Sequence, residues 1–417
     1  MNNKLIIVLV IILGVLAIAQ MMRVNNLSNK IRKRNPEEPS EKENKRSANY
    51  LILFMISLHA FLIYVIVKYG FTNLGPAASV GGEKIDFMYS IQWILVLLVY
   101  FGCVTLLFYF AWKYQKKPGV KAYYYPYNDK LEMLWTVIPA AGLSLMVVLG
   151  LKTWNELTTP ATAEYVNVEI FSEQFKWTAR YSGPNNELGK FDYKLTTAEN
   201  PFGIMTSENI ETSFNLMKDG GVGYLGIKTL EERLNDPKVI LSKEERKNLE
   251  IELGRKERMS RLLEALMVTY EPYKDSLDAL AFDDVIVEDS LILLKGQKYN
   301  LHLRAKDVIH SAYLPHFRAQ MNTVPGLTTF IKLQPTISTS EMKEKLNNPQ
   351  FEYALMCNKI CGTSHYKMKM SVKVLEPEEY LAWQKTKSTI DGNSWIRGNE
   401  EAILEYYRNI TNSVVDR

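Results

Sequence analysis

The run Cys357-Asn358-Lys359-Ile360-Cys361-Gly362-Thr363-Ser364-His365-Tyr366-Lys367-Met368 places two thiols, an imidazole and a thioether within a dozen residues. These are the soft and borderline donors that copper prefers. The run holds no carboxylate, so calcium or magnesium, which need several oxygen ligands, would find little to bind. Zinc also takes thiolate and imidazole, but a thioether is rarely one of its ligands. A disulfide between Cys357 and Cys361 is the plain alternative, and it leaves the spacing of His365 and Met368 to accident.

One more donor stands apart. Asp307-Val308-Ile309-His310-Ser311 follows an alternating segment, Tyr299, Leu301 and Leu303 against Asn300, His302 and Arg304, that reads as a half-buried strand. A distant His followed by C-x3-C-x3-H-x2-M resembles the binuclear copper centre CuA, and hence subunit II of the haem-copper cytochrome c oxidases. By that resemblance Cys357 and Cys361 bridge two coppers, His310 and His365 each cap one, Met368 is a weak axial ligand, and the main-chain carbonyl of Lys359 completes the set. Two bridging thiolates would let both metals share one electron with little change in geometry.

The 417 residues leave room for two or three domains, and the 47 % hydrophobic content is concentrated in the first 152 positions. Three cysteines are too few for a disulfide scaffold, and Cys103 lies in an apolar run as a small hydrophobe. A net charge of +4, with no basic stripe interleaved with aromatics outside the loops flanking the apolar stretches, argues against nucleic acid.

Four apolar stretches, roughly Leu5 to Met22, Leu51 to Val67, Phe87 to Trp112 and Met133 to Leu151, are each long enough to span a bilayer. The loops after the first and third are basic, whereas Gly70 to Asp86 holds only Lys84. The positive-inside rule then puts the basic loops in the cytoplasm and both termini outside. A cleaved signal peptide would leave three spans and invert this arrangement, so the first helix is expected to be retained. Only the last two spans have counterparts in the usual two-helix subunit II. There, Glu132-Met133-Leu134-Trp135-Thr136-Val137-Ile138-Pro139 is a second match to the family. The resemblance makes Glu132 the mouth of a proton channel into subunit I; an ordinary helix-start carboxylate is the alternative.

From Val166 onward strand-like pieces follow, at Val285 to Val287, Tyr299 to Leu303, Thr328 to Leu333 and Ser371 to Val374. They suit an antiparallel, cupredoxin-like sandwich with ligands gathered at one end. Glu173-Gln174-Phe175-Lys176-Trp177 aligns with the family's aromatic segment, where Phe175 replaces the Trp regarded as the electron entry point and Trp177 would pack near the copper. Lys359 stands where the family commonly has a magnesium-binding Glu, which puts that magnesium site in doubt. His316 is expected to hydrogen-bond in a loop, and Asp307 to support His310 or face a docking partner.

Residues 200–276 form an insertion in which Ser242-Lys243-Glu244-Glu245 is a capping box followed by leucines at helical spacing. It packs on its own β domain or offers a docking face to another respiratory complex or a membrane-bound cytochrome. After Pro377 the tail holds no C-x-x-C-H, so this chain carries no covalent haem and its electron donor is a separate protein.

The expected fold is therefore membrane α-helical hairpins plus an all-β cupredoxin-like sandwich with a helical insertion. Its parts are an extra helix and basic loop (1–48), a second extra helix (49–86), the subunit II hairpin (87–155), the copper domain (156–199 and 277–382), the insertion (200–276) and a tail (383–417). The expected function is electron entry from cytochrome c, or a membrane-bound cytochrome c, to haem in subunit I, which reduces oxygen to water within an assembly of oxidase subunits. The protein would be multi-pass in a bacterial inner membrane with the copper domain in the periplasm. The CuA-bearing subunit of a nitric or nitrous oxide reductase is the alternative, and a copper store or chaperone a third reading.

Overall fold

Long apolar runs give four helices: α1 (Asn3–Ile31), α2 (Glu41–Tyr69), α3 (Val80–Lys113) and α4 (Asp129–Thr158), the last continuing through Pro139. The computed structural model describes residues 3–31, 40–70, 75–162 and 164–415. Among these, α2, α3 and α4, of 29, 34 and 30 residues, are long and apolar enough to cross a membrane. The first expected span falls within α1, where the side chains of residues 3–11 lie outside those described.

The chain divides into two units, residues 1–73 with 91–143, and 74–90 with 144–417. In the first, α2 meets α3 through polar contacts at two levels. The Trp112 indole donates to Asn49 Oδ1 at 3.1 Å, and the His59 ring lies 3.1 Å from the Thr105 hydroxyl.

The second unit is built on strands. β1 (Val166–Glu173) and β2 (Lys176–Tyr181) are followed by the insertion: α5 (Ser207–Asp219), the small hairpin β3 (Gly220–Gly221) and β4 (Tyr224–Leu225), α6 (Ile227–Asn235), α7 (Lys243–Tyr270) and α8 (Lys274–Phe282). Then come β5 (Val285–Val287), β6 (Ser290–Leu294), β7 (Tyr299–Ala305), β8 (His310–Leu314), β9 (Ala319–Thr323) and β10 (Thr329–Leu333). The chain closes with α9 (Thr339–Lys345), β11 (Tyr353–Cys357), β12 (Lys369–Leu375), α10 (Pro377–Lys385) and α11 (Glu400–Val415).

Two five-stranded sheets, in the orders β10-β7-β1-β2-β5 and β6-β12-β11-β8-β9, face each other as the sandwich. Alternate residues point inward, so Val168, Ile170, Trp177, Ala179 and Tyr181 of one sheet pack on Leu291, Leu293, Leu355, Val372 and Val374 of the other, all buried. The strands are not all antiparallel, as the sequence suggested. β1 runs parallel to β7, and β12 to β6. Parallel neighbours need long crossover connections, and the chain between β1 and β7, which includes the insertion, supplies one.

The outward face of β1 is buried as well: Glu169 is 1 % exposed, because the insertion covers that face of the sheet. Its Phe202 ring stacks 4.8 Å from Phe171. The insertion has its own small core of Leu195, Ile210, Leu263 and Tyr270, and its helices run to Phe282, beyond the boundary read at 276. The capping box expected at Ser242 is present: Glu245 N–H donates to Ser242 Oγ at 3.2 Å, and Ser242 N–H to Glu245 Oε2 at 2.9 Å.

Just ahead of α3 and in its first turns, the chain is woven into this unit. Ala78 N–H donates to His316 O at 2.8 Å, Ser79 Oγ to Phe317 O at 2.8 Å, and Arg318 Nε to Asp86 Oδ1 at 2.9 Å. These bonds hold the connection between β8 and β9, directly after the strand that begins with His310.

Candidate metal centre

The ligand run is a loop closed on itself. β11 delivers Cys357 and β12 leaves after Met368, and Cys357 N–H donates to Met368 O at 3.1 Å across the loop's neck. Asn358 N–H donates to Ser311 O at 3.0 Å, which ties the loop to β8 and so to His310. Gly362, at φ +147°, admits no side chain, since a Cβ there would lie 2.8 Å from both Gln174 Nε2 and Phe175 Cζ. The Gln174 amide donates to the Cys361 carbonyl from the same side.

These anchors bring the donors together. One ring nitrogen of His310 and the two cysteine sulfurs all lie within 4.8 Å of one another. The Cys357 and Cys361 sulfurs are 3.9 Å apart, well beyond the about 2.05 Å of a disulfide but under twice a metal–sulfur bond of about 2.3 Å, so one ion can touch both. His310 Nδ1 is 3.9 Å from Cys357 Sγ, His365 Nδ1 3.5 Å from Cys361 Sγ, and Met368 Sδ 3.8 Å from Cys361 Sγ. The Lys359 carbonyl stands 3.1 Å from Cys357 Sγ. Each imidazole and the thioether thus sits beside a sulfur, as a donor set shared by soft metal ions requires.

Electrostatics favour a cation. Asp307 Oδ1 lies 2.9 Å from His310 Nε2 and, being an acceptor, holds the proton on that nitrogen so that Nδ1 turns its lone pair to the sulfurs. Burial would push the Asp307 carboxyl up, but hydrogen bonds from His310 and from the Gln174 and Val308 amides outweigh it and hold the group below its usual range. Burial, and then the neighbouring Cys357, push the Cys361 thiol up to about 11. Two close thiolates repel each other in a buried place, and a bound cation reverses that balance by deprotonating its thiol ligands. The donor set and this charge balance fit a copper centre.

The other residues singled out by sequence fall in different places. Trp177 is 2 % exposed with its ring 6.1 Å from that of His310, so it packs beside the centre. Phe175 is half-buried and lies over the ligand loop at Gly362. Glu132 is exposed in the first turn of α4, its Oε1 3.5 Å from the Asn128 amide, and is not part of the donor cluster. The His316 ring, expected to hydrogen-bond in its loop, instead packs edge-on against Phe351 and Tyr353, and its Nδ1 has no partner among the described residues. Sequence reading missed Gln174, whose amide and backbone brace Cys361 and Asp307; polar residues offer no period from which such a contact can be read. It also missed Arg180 and Arg304, which hold Glu169 under the insertion.

The family model for the cytochrome c oxidase subunit II transmembrane domain matches residues 67–153. An alternative cytochrome c oxidase subunit 2 of Bradyrhizobium diazoefficiens is 25 % identical over 345 residues, 82 % of this chain and 93 % of that one. Along most of its length the chain is similar to cytochrome c oxidase subunit II, one part of an oxidoreductase complex. The cytochrome c oxidase subunit 2 of Cereibacter sphaeroides is 20 % identical over 75 % of this chain and 79 % of its own length. A solved periplasmic domain of subunit II of cytochrome oxidase from Bradyrhizobium japonicum is 13 % identical, with a TM-score of 0.25, over 54 % of this chain and 92 % of that one. These relatives are cytochrome c oxidase subunits, which does not favour the nitric or nitrous oxide reductase alternative.

Proposed function

We propose that this subunit is the electron entry point of a haem-copper oxidase, accepting single electrons from cytochrome c and passing them to haem in subunit I, where oxygen is reduced to water. The observation that carries this reading is the convergence of His310, Cys357, Cys361, His365, Met368 and the Lys359 carbonyl from two loops at one end of the sandwich. Copper ions held there by these residues would supply one-electron redox chemistry. The chain's own residues do the rest. Asp307 fixes the His310 tautomer, Gln174 and Gly362 hold the loop against β2's approach, and buried Met368 and Trp177 keep water from the sulfurs. Phe175, over the loop, is the contact through which a donor's electron would enter.

The protein would sit in a bacterial inner membrane with the β unit in the periplasm and α1 as a fourth, retained span, and Glu132 would lead protons toward subunit I. Replacing Glu132 with Gln while following turnover and pumping separates that role from a helix-start carboxylate, since unchanged rates mean the latter.

Rapid mixing of the purified oxidase with reduced cytochrome c tests the main reading. Cys361→Ser is expected to remove the fast phase of haem reduction while haem still reduces slowly with dithionite. Fast haem reduction in that variant would mean electrons enter elsewhere.

A further inference from the structure

The insertion does not seal the sheet that it covers. Between residues 187–196 and the β7–β10 edge of the sheet, two cavities of about 450 and 460 Å³ stay open, and Phe191, Arg304 and Thr328 line both. Cavities of that size hold small organic ligands. Their walls are mostly apolar: Leu188 and Phe330 in one, Pro325 and Leu327 in the other, with the half-exposed Phe191 ring common to the two.

Arg304 is the charge inside. The residue is 8 % exposed, yet its guanidinium is only partly bonded. Nε donates to Glu169, Nη2 donates to the Phe202 carbonyl at 3.0 Å, and the Phe191 ring covers the guanidinium carbon at 3.5 Å. Nη1 has no hydrogen-bond partner among the described residues, and it is not one of the buried polar atoms sealed away without one. It therefore meets the space of the cavities that Arg304 lines. A guanidinium with free N–H groups in a buried, apolar place is matched by an added carboxylate.

The chain's own carboxylates do not take that edge. Glu169 is divided between Arg180 and Arg304 Nε, Asp192 is held by Lys194 at 2.7 Å, and Glu187 is exposed with no ion pair among the described residues. Lys190, exposed on the same wall and likewise unpaired among the described residues, adds a second cation. His302 stays neutral, since burial pushes its imidazole down to about 4, and its ring stands edge-on to Phe330 at 4.9 Å.

We infer that this groove binds a small aromatic carboxylate, whose carboxylate pairs with Arg304 Nη1 while its ring lies against Phe191 and Phe330. Because one wall is the insertion and the other the sheet, an occupant ties the two together. The inference is independent of which metal the ligand loop holds.

Equilibrium dialysis of the full-length protein in nanodiscs of zwitterionic lipid tests it, with naphthoate, naphthamide and octanoate as probes and empty nanodiscs as the blank. Naphthoate is expected to bind roughly tenfold tighter than either its amide or octanoate, and to slow proteolysis within residues 187–196. Phe191→Ala should weaken naphthoate binding roughly tenfold, and Arg304→Lys, which keeps the charge and loses the fork, should erase the preference for acid over amide. Equal binding of acid and amide overturns the inference, as does octanoate binding tighter than naphthoate or undiminished binding in Phe191→Ala. Should Arg304→Lys fail to fold, the amide comparison and Phe191→Ala decide the matter without it.

Discussion

Replacing Glu169 with Ala removes the one carboxylate that joins two buried guanidiniums behind the metal-bearing end of the sandwich. Arg180 Nε lies 2.6 Å from Glu169 Oε2, and Arg304 Nε donates to the other oxygen. Burial would push the Glu169 carboxyl up, yet the two guanidiniums outweigh it and keep it below its usual value, so the group is an ionised partner. Without it Arg180 still has Asp284 at 2.6 Å and the Gly189 carbonyl at 3.1 Å, but Arg304 keeps only the Phe202 carbonyl at 3.0 Å and ring contacts. Breaking a buried pair from one side costs about 3–5 kcal/mol, and here the orphan that retains the fewer partners is the more exposed of the two, which points to the lower half of that range. For a unit of this size the melting temperature should fall on the order of 10 °C. Because Arg180 and Arg304 hold Gly189 and Phe202, at the entrance of the insertion, proteolysis there should also accelerate. Thermal unfolding and limited proteolysis of the detergent-solubilised protein read both effects. The surface pair Lys385–Glu400, both largely exposed, is the control, and Glu400→Ala should cost under about 1 kcal/mol. If Glu169→Ala costs no more than that control, the buried network contributes nothing net and the reasoning fails.

Other outcomes follow from the same structure. Burial pushes the His302 imidazole down to about 4, so its neutral form contributes stability that is complete above its ordinary pKa of 6.5 and lost as pH falls toward 4. His302→Gln should flatten that acid limb by on the order of 2 kcal/mol in unfolding measured against pH, and an unchanged slope contradicts it. Leu263, fully buried in the insertion's own core, should cost about 2–5 kcal/mol when cut to Ala, with copper content unaltered; loss of copper would show that the insertion and the ligand loops are one cooperative unit. Met368→Leu keeps the buried volume but removes the thioether, so copper should be retained while its optical and paramagnetic signatures and reduction potential shift; identical values would remove Met368 from the ligand set.

The gathering of the candidate donors was legible because its chemistry is local: four side-chain donors and one carbonyl lie in a single short loop, and the fifth side chain, His310, begins the strand β8. Membrane-crossing helices were legible for a similar reason, since apolar length is a property of one segment. What escaped depends on which distant segment covers which face. Glu169, Asn300 and Arg304 alternate with apolar neighbours as residues on a wetted face do, and only the insertion turns that face into an interior. The parallel pairing of β1 with β7 is equally non-local, since period-two patterning records burial and not strand direction. His316 was misjudged because the aromatic rings it packs against, Phe351 and Tyr353, lie thirty-odd residues further along the chain.

Metal analysis of the purified oxidase, paired with its optical and electron paramagnetic spectra, tests the central claim most directly. The account predicts about two copper ions per subunit II chain with a purple mixed-valence spectrum, both lost in Cys357→Ser. A single zinc, or a metal-free Cys357–Cys361 disulfide, would contradict it.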